Sequence, residues 1–101
     1  MNERMRSEQQ MCLLDGAVRY GIIYAQHHTL MDGIERVLNL DAYAQLMRDE
    51  YRLMLRLSPA STGTIDIHAQ LCCHSDPLHA LRCVVTPLPD KKVAISGWHI
   101  E

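Results

Sequence analysis

The stretch Ser58-Pro59-Ala60-Ser61-Thr62-Gly63 divides the chain into two halves of different composition. Before it lie long periodic segments rich in Leu, Met, Ala, Gln and Arg, which favour helices. After it lie short segments rich in Ile, Val and Thr, separated by Pro, Asp and Ser, as is typical of strands and turns. The change predicts a helical half at about residues 7–57 and a β half at about 64–100. With 101 residues, the two halves form a single domain, residues 1–101.

The first part of the helical half shows apolar residues at helical spacing from about residue 7 to 27, which predicts a first helix. Gly21 lies beside this apolar stripe, where it would allow close packing against a neighbouring element. Asp32, followed three residues later by Glu35, resembles a capping box and predicts a short second helix. The buried side of that helix would consist of Ile34, Val37 and Leu38.

A third helix is predicted from Ala42 to Leu57, with Asp41 as its N-cap. The last part of this segment, residues 51–57, also alternates at period two, as a strand would. Leu and Met favour helix and no residue there is β-branched, so helix is the preferred interpretation and strand is the alternative.

Three strands are predicted in the β half, at residues 64–73, 78–86 and 92–100. Ser75-Asp76-Pro77 is a turn signal between the first two. Gly97 predicts a β-bulge that re-aims Trp98 and Ile100. Short links between consecutive strands indicate an antiparallel meander. The predicted fold is therefore α+β, with two or three N-terminal helices packed on a C-terminal three-stranded antiparallel meander.

The overall charge gives no reason to expect a nucleic acid or membrane partner. The net charge is −2 with neutral histidines. The N-terminus carries charges of both signs and no apolar core, and no apolar run approaches the length of a membrane span. Of the four cysteines, Cys72 and Cys73 are adjacent. We therefore expect a soluble cytoplasmic protein with reduced thiols.

The densest group of reactive side chains is a cysteine–histidine cluster at residues 68–83. It consists of His68, Cys72, Cys73, His74, His79 and Cys83. It contains no Cys-x2-Cys pair and no pair of histidines at helical chelating distance. Ordinary strand and turn residues are the preferred interpretation. The alternative is a metal- or thiol-dependent module, with zinc held by Cys73, His74, His79 and Cys83.

Arginines recur every four residues at Arg48, Arg52 and Arg56, along one face of the predicted third helix. This spacing indicates either a solvated helix face or a ridge that binds a partner. Because guanidinium groups bind carboxylates bidentately, the expected partner is an acidic segment of another protein. Asp49, three residues before Arg52, offsets part of the positive charge.

No motif in the sequence assigns a reaction. The chain has no nucleophile elbow and no Gly-rich phosphate loop, and no third group that would orient a cysteine–histidine pair can be identified. The preferred hypothesis is a small adaptor or regulatory protein that acts through protein–protein binding and has no catalysis of its own. A homodimer or larger assembly is also predicted, because a three-stranded sheet has two open edges and the helices carry wide apolar stripes.

Overall fold

The computed structural model of the chain describes residues 2–27, 34–60 and 62–100. One long helix, α1, spans Asn2–His27, and a single helical turn, α2, spans Asp41–Ala44. The strands are β1 at Arg36–Asn39, β2 at Tyr51–Pro59, β3 at Ile65–Cys73, β4 at Asp76–Leu88 and β5 at Lys92–Ile100. They form one antiparallel sheet in the order β1-β2-β3-β4-β5.

The prediction of two or three helices on a three-stranded meander is wrong, because segments predicted to be helical are strands. Only α2 is helical within the third predicted helix, residues 42–57, and the end of that segment is β2. Its side chains alternate strictly: Tyr51, Leu53, Leu55 and Leu57 are buried. Burial of every second side chain against α1 outweighs the helix propensity of Leu and Met.

The short helix predicted to begin at Asp32 is also wrong over its described part. Asp32 itself lies outside the described residues, while Val37 and Leu38 belong to β1. Val37 lies opposite Arg56 of β2 and is exposed, whereas Leu38 packs partly against the core. The apolar residues of this segment therefore follow the alternation of a strand.

The first helix and the last three strands are confirmed. Helix α1 contains the whole predicted range 7–27, and β3, β4 and β5 match the predicted strands closely. The turn lies one residue earlier than predicted, because β4 already begins at Asp76. It is formed by His74 and Ser75, with His74 at φ 57°.

Helix α1 packs on one face of the sheet, which we call the inner face. It buries Leu13, Leu14, Ala17, Val18 and Ala25 against inward-facing residues of β2, β3 and β4. A Cβ atom at Gly21 would lie 2.8 Å from Ile67 Cγ2 and 3.3 Å from Leu55 Cδ2. This confirms the prediction that Gly21 allows the helix to pack closely.

The opposite, outer face of the sheet is polar. Arg52, Arg56, Asp66, His68 and Arg82 lie on it, in positions that alternate with the buried residues of β2, β3 and β4. This alternation is typical of an antiparallel sheet with one face in the core. Within the described part of the chain, no helix has both the length and the apolar content to span a membrane.

Candidate functional site

Strand β5 contains the predicted bulge. The register pairs Val84 with Gly97 and Val85 with Ile95, and so skips Ser96. Opposed residues in an antiparallel pair point to the same face of the sheet. The skipped residue therefore changes which residues of β5 face inward: odd-numbered residues do so before Ser96 and even-numbered residues after it. The prediction that a bulge near Gly97 re-aims the following side chains is confirmed.

The consequence is an apolar strip on the inner face of β5. We call Val93, Ile95, Trp98 and Ile100 the β5 strip. They lie opposite Pro87, Val85, Cys83 and Leu81 of β4, respectively. Without the bulge, the two halves of this strip would face opposite sides of the sheet. With it, all four apolar side chains lie on the face that also carries α1.

The β5 strip is incompletely covered by α1. Ile95 is 51% exposed, Trp98 39% and Ile100 73%, whereas Cys83 and Val85 on the neighbouring strand are fully buried. A single exposed apolar residue is ordinary in a soluble protein, but a contiguous group that includes a tryptophan is a candidate interaction surface.

A groove lies between α1 and the end of the β5 strip. It is lined by Met11, Cys12 and Asp15 of α1, by Leu81 of β4, and by Trp98 and Ile100 of β5. Its volume is about 460 Å³, which is within the range of ligand-binding clefts. Because the groove is open to solvent and mostly apolar, it can accept apolar side chains from a partner.

Asp15 is the one charged residue among those that line the groove. Its Oδ2 atom accepts a hydrogen bond from Nε of Arg19, one helical turn further along, at 2.8 Å. Both side chains are exposed, so this ion pair contributes little to stability and can rearrange when a partner binds.

The edge of β5 is also open. Strand β5 occupies the end of the sheet, and nothing in the described part of the chain pairs with its other side. Such an edge presents unpaired backbone N–H and C=O groups to an added strand. The open edge and the exposed strip lie on the same nine residues. A strand added there would form backbone hydrogen bonds and place its own apolar side chains beside the strip.

The proposed metal ligands are not brought together. Among the described residues, which include Cys73, His74, His79 and Cys83, there is no group of three or more potential ligands that could hold a metal ion. His79 and Cys83 lie on one strand, about 13 Å apart by its rise per residue. His74 lies in the turn between β3 and β4, and its backbone N–H donates to the carbonyl oxygen of Glu50 at 3.0 Å.

The thiols of the buried Cys83 and the half-buried Cys72 are poorly suited to nucleophilic chemistry. Burial raises the pKa of the Cys83 thiol, and the nearby carboxylate of Asp66 raises it further. Burial likewise raises the pKa of Cys72, to which Asp41 and Asp76 contribute. Because the thiolate is the reactive form, neither cysteine is activated at neutral pH. By contrast, Cys12 is exposed at the groove.

The three arginines lie on a turn and a strand rather than on one helix face. Arg52 and Arg56 point outward from β2, while Arg48 precedes that strand. Each has a carboxylate partner. Arg48 lies 3.1 Å from Glu50, Arg52 lies 3.5 Å from Asp41 and Arg56 lies 2.6 Å from Glu35. The positive charge that the sequence suggested is therefore neutralised locally, and binding to an acidic partner stays a prediction.

Comparisons with protein-family models, with curated proteins and with solved structures gave no match for this chain. The candidate site therefore depends on the geometry of β5 and α1. Sequence reasoning identified the bulge but missed the groove. A signal for the strip was available in the change of alternation within residues 93–100. The large apolar residues of this segment, Val93, Ile95, Trp98 and Ile100, lie on one face only if the strand skips a residue.

Proposed function

We propose that the protein is a small cytoplasmic interaction module, an adaptor or regulatory protein that acts by binding another protein and has no catalysis of its own. Its binding surface is the open edge of β5 together with the β5 strip and the α1–β5 groove. The occupant is an extended protein segment that adds to β5 as a further strand.

The observation that carries this proposal is the coincidence of an open edge with exposed apolar side chains. Backbone hydrogen bonds along β5 would supply affinity for any extended segment. Trp98 and Ile100 would supply selectivity, because alternate residues of the segment must be apolar to lie beside them. Aromatic residues at the centre of an interface frequently contribute much of the binding free energy.

Selection from a displayed library of random peptides tests the proposal. The protein is immobilised at low density, so that copies cannot pair with each other. We expect enrichment of peptides with apolar residues at every second position. Binding should be lost in the variant Ile100→Asp, because a carboxylate at this position would be desolvated beside Leu81 when a peptide binds.

Leu46→Asp is the matched control. Leu46, like Ile100, is an exposed aliphatic residue, and 83% of its surface is exposed. It lies between α2 and β2, outside the groove. Peptides should bind this variant as they bind the original protein. The proposal fails if no peptide is enriched, or if the enriched peptides bind the Ile100→Asp variant with unchanged affinity.

A further inference from the structure

The two edges of the sheet differ in what protects them. Strand β1 has four residues, begins at Arg36 and follows Glu35. Strand β5 has nine residues. Between Val93 and Ile100 it contains no Lys, Arg, Asp, Glu or Pro. Charged residues, proline, short length and β-bulges are features by which monomeric proteins keep an edge from pairing. Apart from Lys92 at its start and the bulge at Ser96, the β5 edge lacks them.

We propose that the segment bound at the β5 edge is β5 of a second copy of this chain, in an antiparallel arrangement about a two-fold axis between Ser96 and Gly97. This inference rests on the proposed function, because it assigns a partner to the same edge. The product is a dimer with one continuous ten-stranded sheet, made from two sheets of five. The two-fold axis is perpendicular to the sheet, so both α1 helices lie on the same face.

The bulge makes this arrangement self-complementary. With the axis between Ser96 and Gly97, Val93 lies opposite Ile100 of the second copy, and Ile95 lies opposite Trp98 of the second copy. Each pair joins two members of the β5 strip, so inner-face residues meet inner-face residues across the axis. In an unbulged strand, an axis between two consecutive residues would pair inward with outward side chains.

The pairs also fit chemically. Aromatic and β-branched residues opposite each other are favourable cross-strand pairs, as Ile95 and Trp98 would be. The outward pairs are Ala94 with His99 and Ser96 with Gly97. No pair places two like charges opposite each other. The exposed parts of both β5 strips then form one continuous apolar surface between the two α1 helices.

Sedimentation velocity over a wide range of loading concentrations tests the dimer. We expect twice the mass of one chain, with dissociation on dilution. Ile100→Asp should weaken dimerisation by roughly tenfold or more, because each dimer would place two carboxylates in apolar surroundings. Ile95→Lys is a second variant at an exposed position of the strip, and Leu46→Asp is the control that should remain dimeric. Circular dichroism should show that all three variants fold.

Disulfide trapping tests the register. About this axis, the two copies of Ser96 have Cα atoms roughly 6 Å apart, within the roughly 4.4–6.8 Å that a disulfide bond spans. In a Cys12→Ser background, Ser96→Cys should therefore give a cross-linked dimer on mild oxidation. Ser75→Cys, in the exposed turn between β3 and β4, should not.

The outcomes separate this inference from the proposed function. A monomer at every concentration overturns the dimer, yet the proposed function stands if sparsely immobilised chains select peptides. The inference is also overturned if the dimer persists in both strip variants, because the dimer then uses another surface. The same holds if the dimer cross-links as readily through residue 75 as through residue 96. If β5 neither pairs with a second copy nor binds peptides, both proposals fail.

Discussion

The edges at β1 and β5 belong to the same sheet, but they end it in different ways. Strand β1 is short, and beyond its last residue side chains take over the hydrogen bonding to β2. Oδ1 of Asp41 accepts the backbone N–H of Leu53 at 2.8 Å, just beyond the last residue of β1, and Oδ1 of Asn39 accepts the N–H of Asp41 at 2.8 Å. Strand β5 has nine residues, an apolar strip on its inner face and an open edge. The contrast is between a side of the sheet that side chains close beyond β1 and a β5 edge that stays open within the described part of the chain.

The largest effect on monomer stability is expected at Asp41. The variant Asp41→Ala leaves the half-buried N–H of Leu53 without its acceptor. An unsatisfied buried donor costs about 1–3 kcal/mol, so we expect a loss of about 2 kcal/mol in the free energy of unfolding. Urea denaturation followed by circular dichroism measures it.

Asp41→Asn is the control, because its side-chain oxygen can still accept this hydrogen bond. It should retain most of the stability lost in Asp41→Ala. Equal losses in the two variants would show that the charge of Asp41 matters, through Arg52, more than the hydrogen bond to Leu53. In that case, the hydrogen bond from Leu53 to Asp41 would not be what closes the sheet beyond β1.

The second prediction concerns why β5 is left open. Helix α1 contacts Leu55 and Ile67 at Gly21, which holds it over the middle of the sheet. In Gly21→Ala the new methyl group would meet the stiff Cγ2 of Ile67. Overpacking costs about 1–3 kcal/mol, whereas the higher helix propensity of Ala contributes about 1 kcal/mol. We therefore expect the free energy of unfolding, measured by thermal or urea denaturation, to fall by about 1 kcal/mol.

Gly16→Ala is the matched control on the same helix. Its added methyl group would meet only the hydroxyl end of Tyr43, a side chain that is 44% exposed and free to move. This variant should be neutral or more stable by up to about 1 kcal/mol. If both variants are equally stable, the packing at Gly21 is not what fixes the position of α1.

The sequence predicted the elements whose local pattern agrees with their packing. Helix α1, the three C-terminal strands and the bulge near Gly97 were found because propensity, periodicity and turn signals coincide there. For the segment that forms β2, strand was only the alternative interpretation. Leu and Met favour helix, and only burial against α1 decides in favour of a strand. The open β5 strip could not be predicted, because exposure depends on where the helix lies across the sheet.

The third prediction concerns Cys83, which lies opposite Trp98 of the β5 strip. Its pKa is raised in the folded protein by burial. A raised pKa means that its contribution to stability is complete below the ordinary thiol pKa of 9.0 and is lost as pH rises through the folded-state value. The free energy of unfolding should therefore fall as the pH rises above 9.0. The slope of unfolding free energy against pH should be smaller in Cys83→Ala, whatever the stability of that variant at neutral pH.

Thiol alkylation gives an independent reading of the same environment. Iodoacetamide at neutral pH should modify the exposed Cys12 first and Cys83 last, as measured by mass spectrometry of digested protein. Rapid modification of Cys83 in the native protein would mean that β4 and β5 open readily. The β5 edge would then be a frayed strand rather than an ordered surface for pairing.

The smallest effect is expected at Arg48, Arg52 and Arg56, which lie near the β1 side of the sheet. Their carboxylate partners are Glu50, Asp41 and Glu35. The arginine side chains are 44%, 65% and 57% exposed, so each ion pair is screened by solvent. Exposed pairs contribute about 0–1 kcal/mol, and salt reduces that further.

Replacing all three arginines with Gln should therefore lower stability only slightly, and less so at high salt. It should leave the mass of the assembly unchanged, because the three positions lie on β2 and the turn before it, and two strands, β3 and β4, separate them from β5. An acidic partner at this surface would have to displace the carboxylates already present. A salt-sensitive complex with an acidic peptide, abolished in the triple variant, would show that this displacement occurs. It would also show that the closed side of the sheet binds a partner.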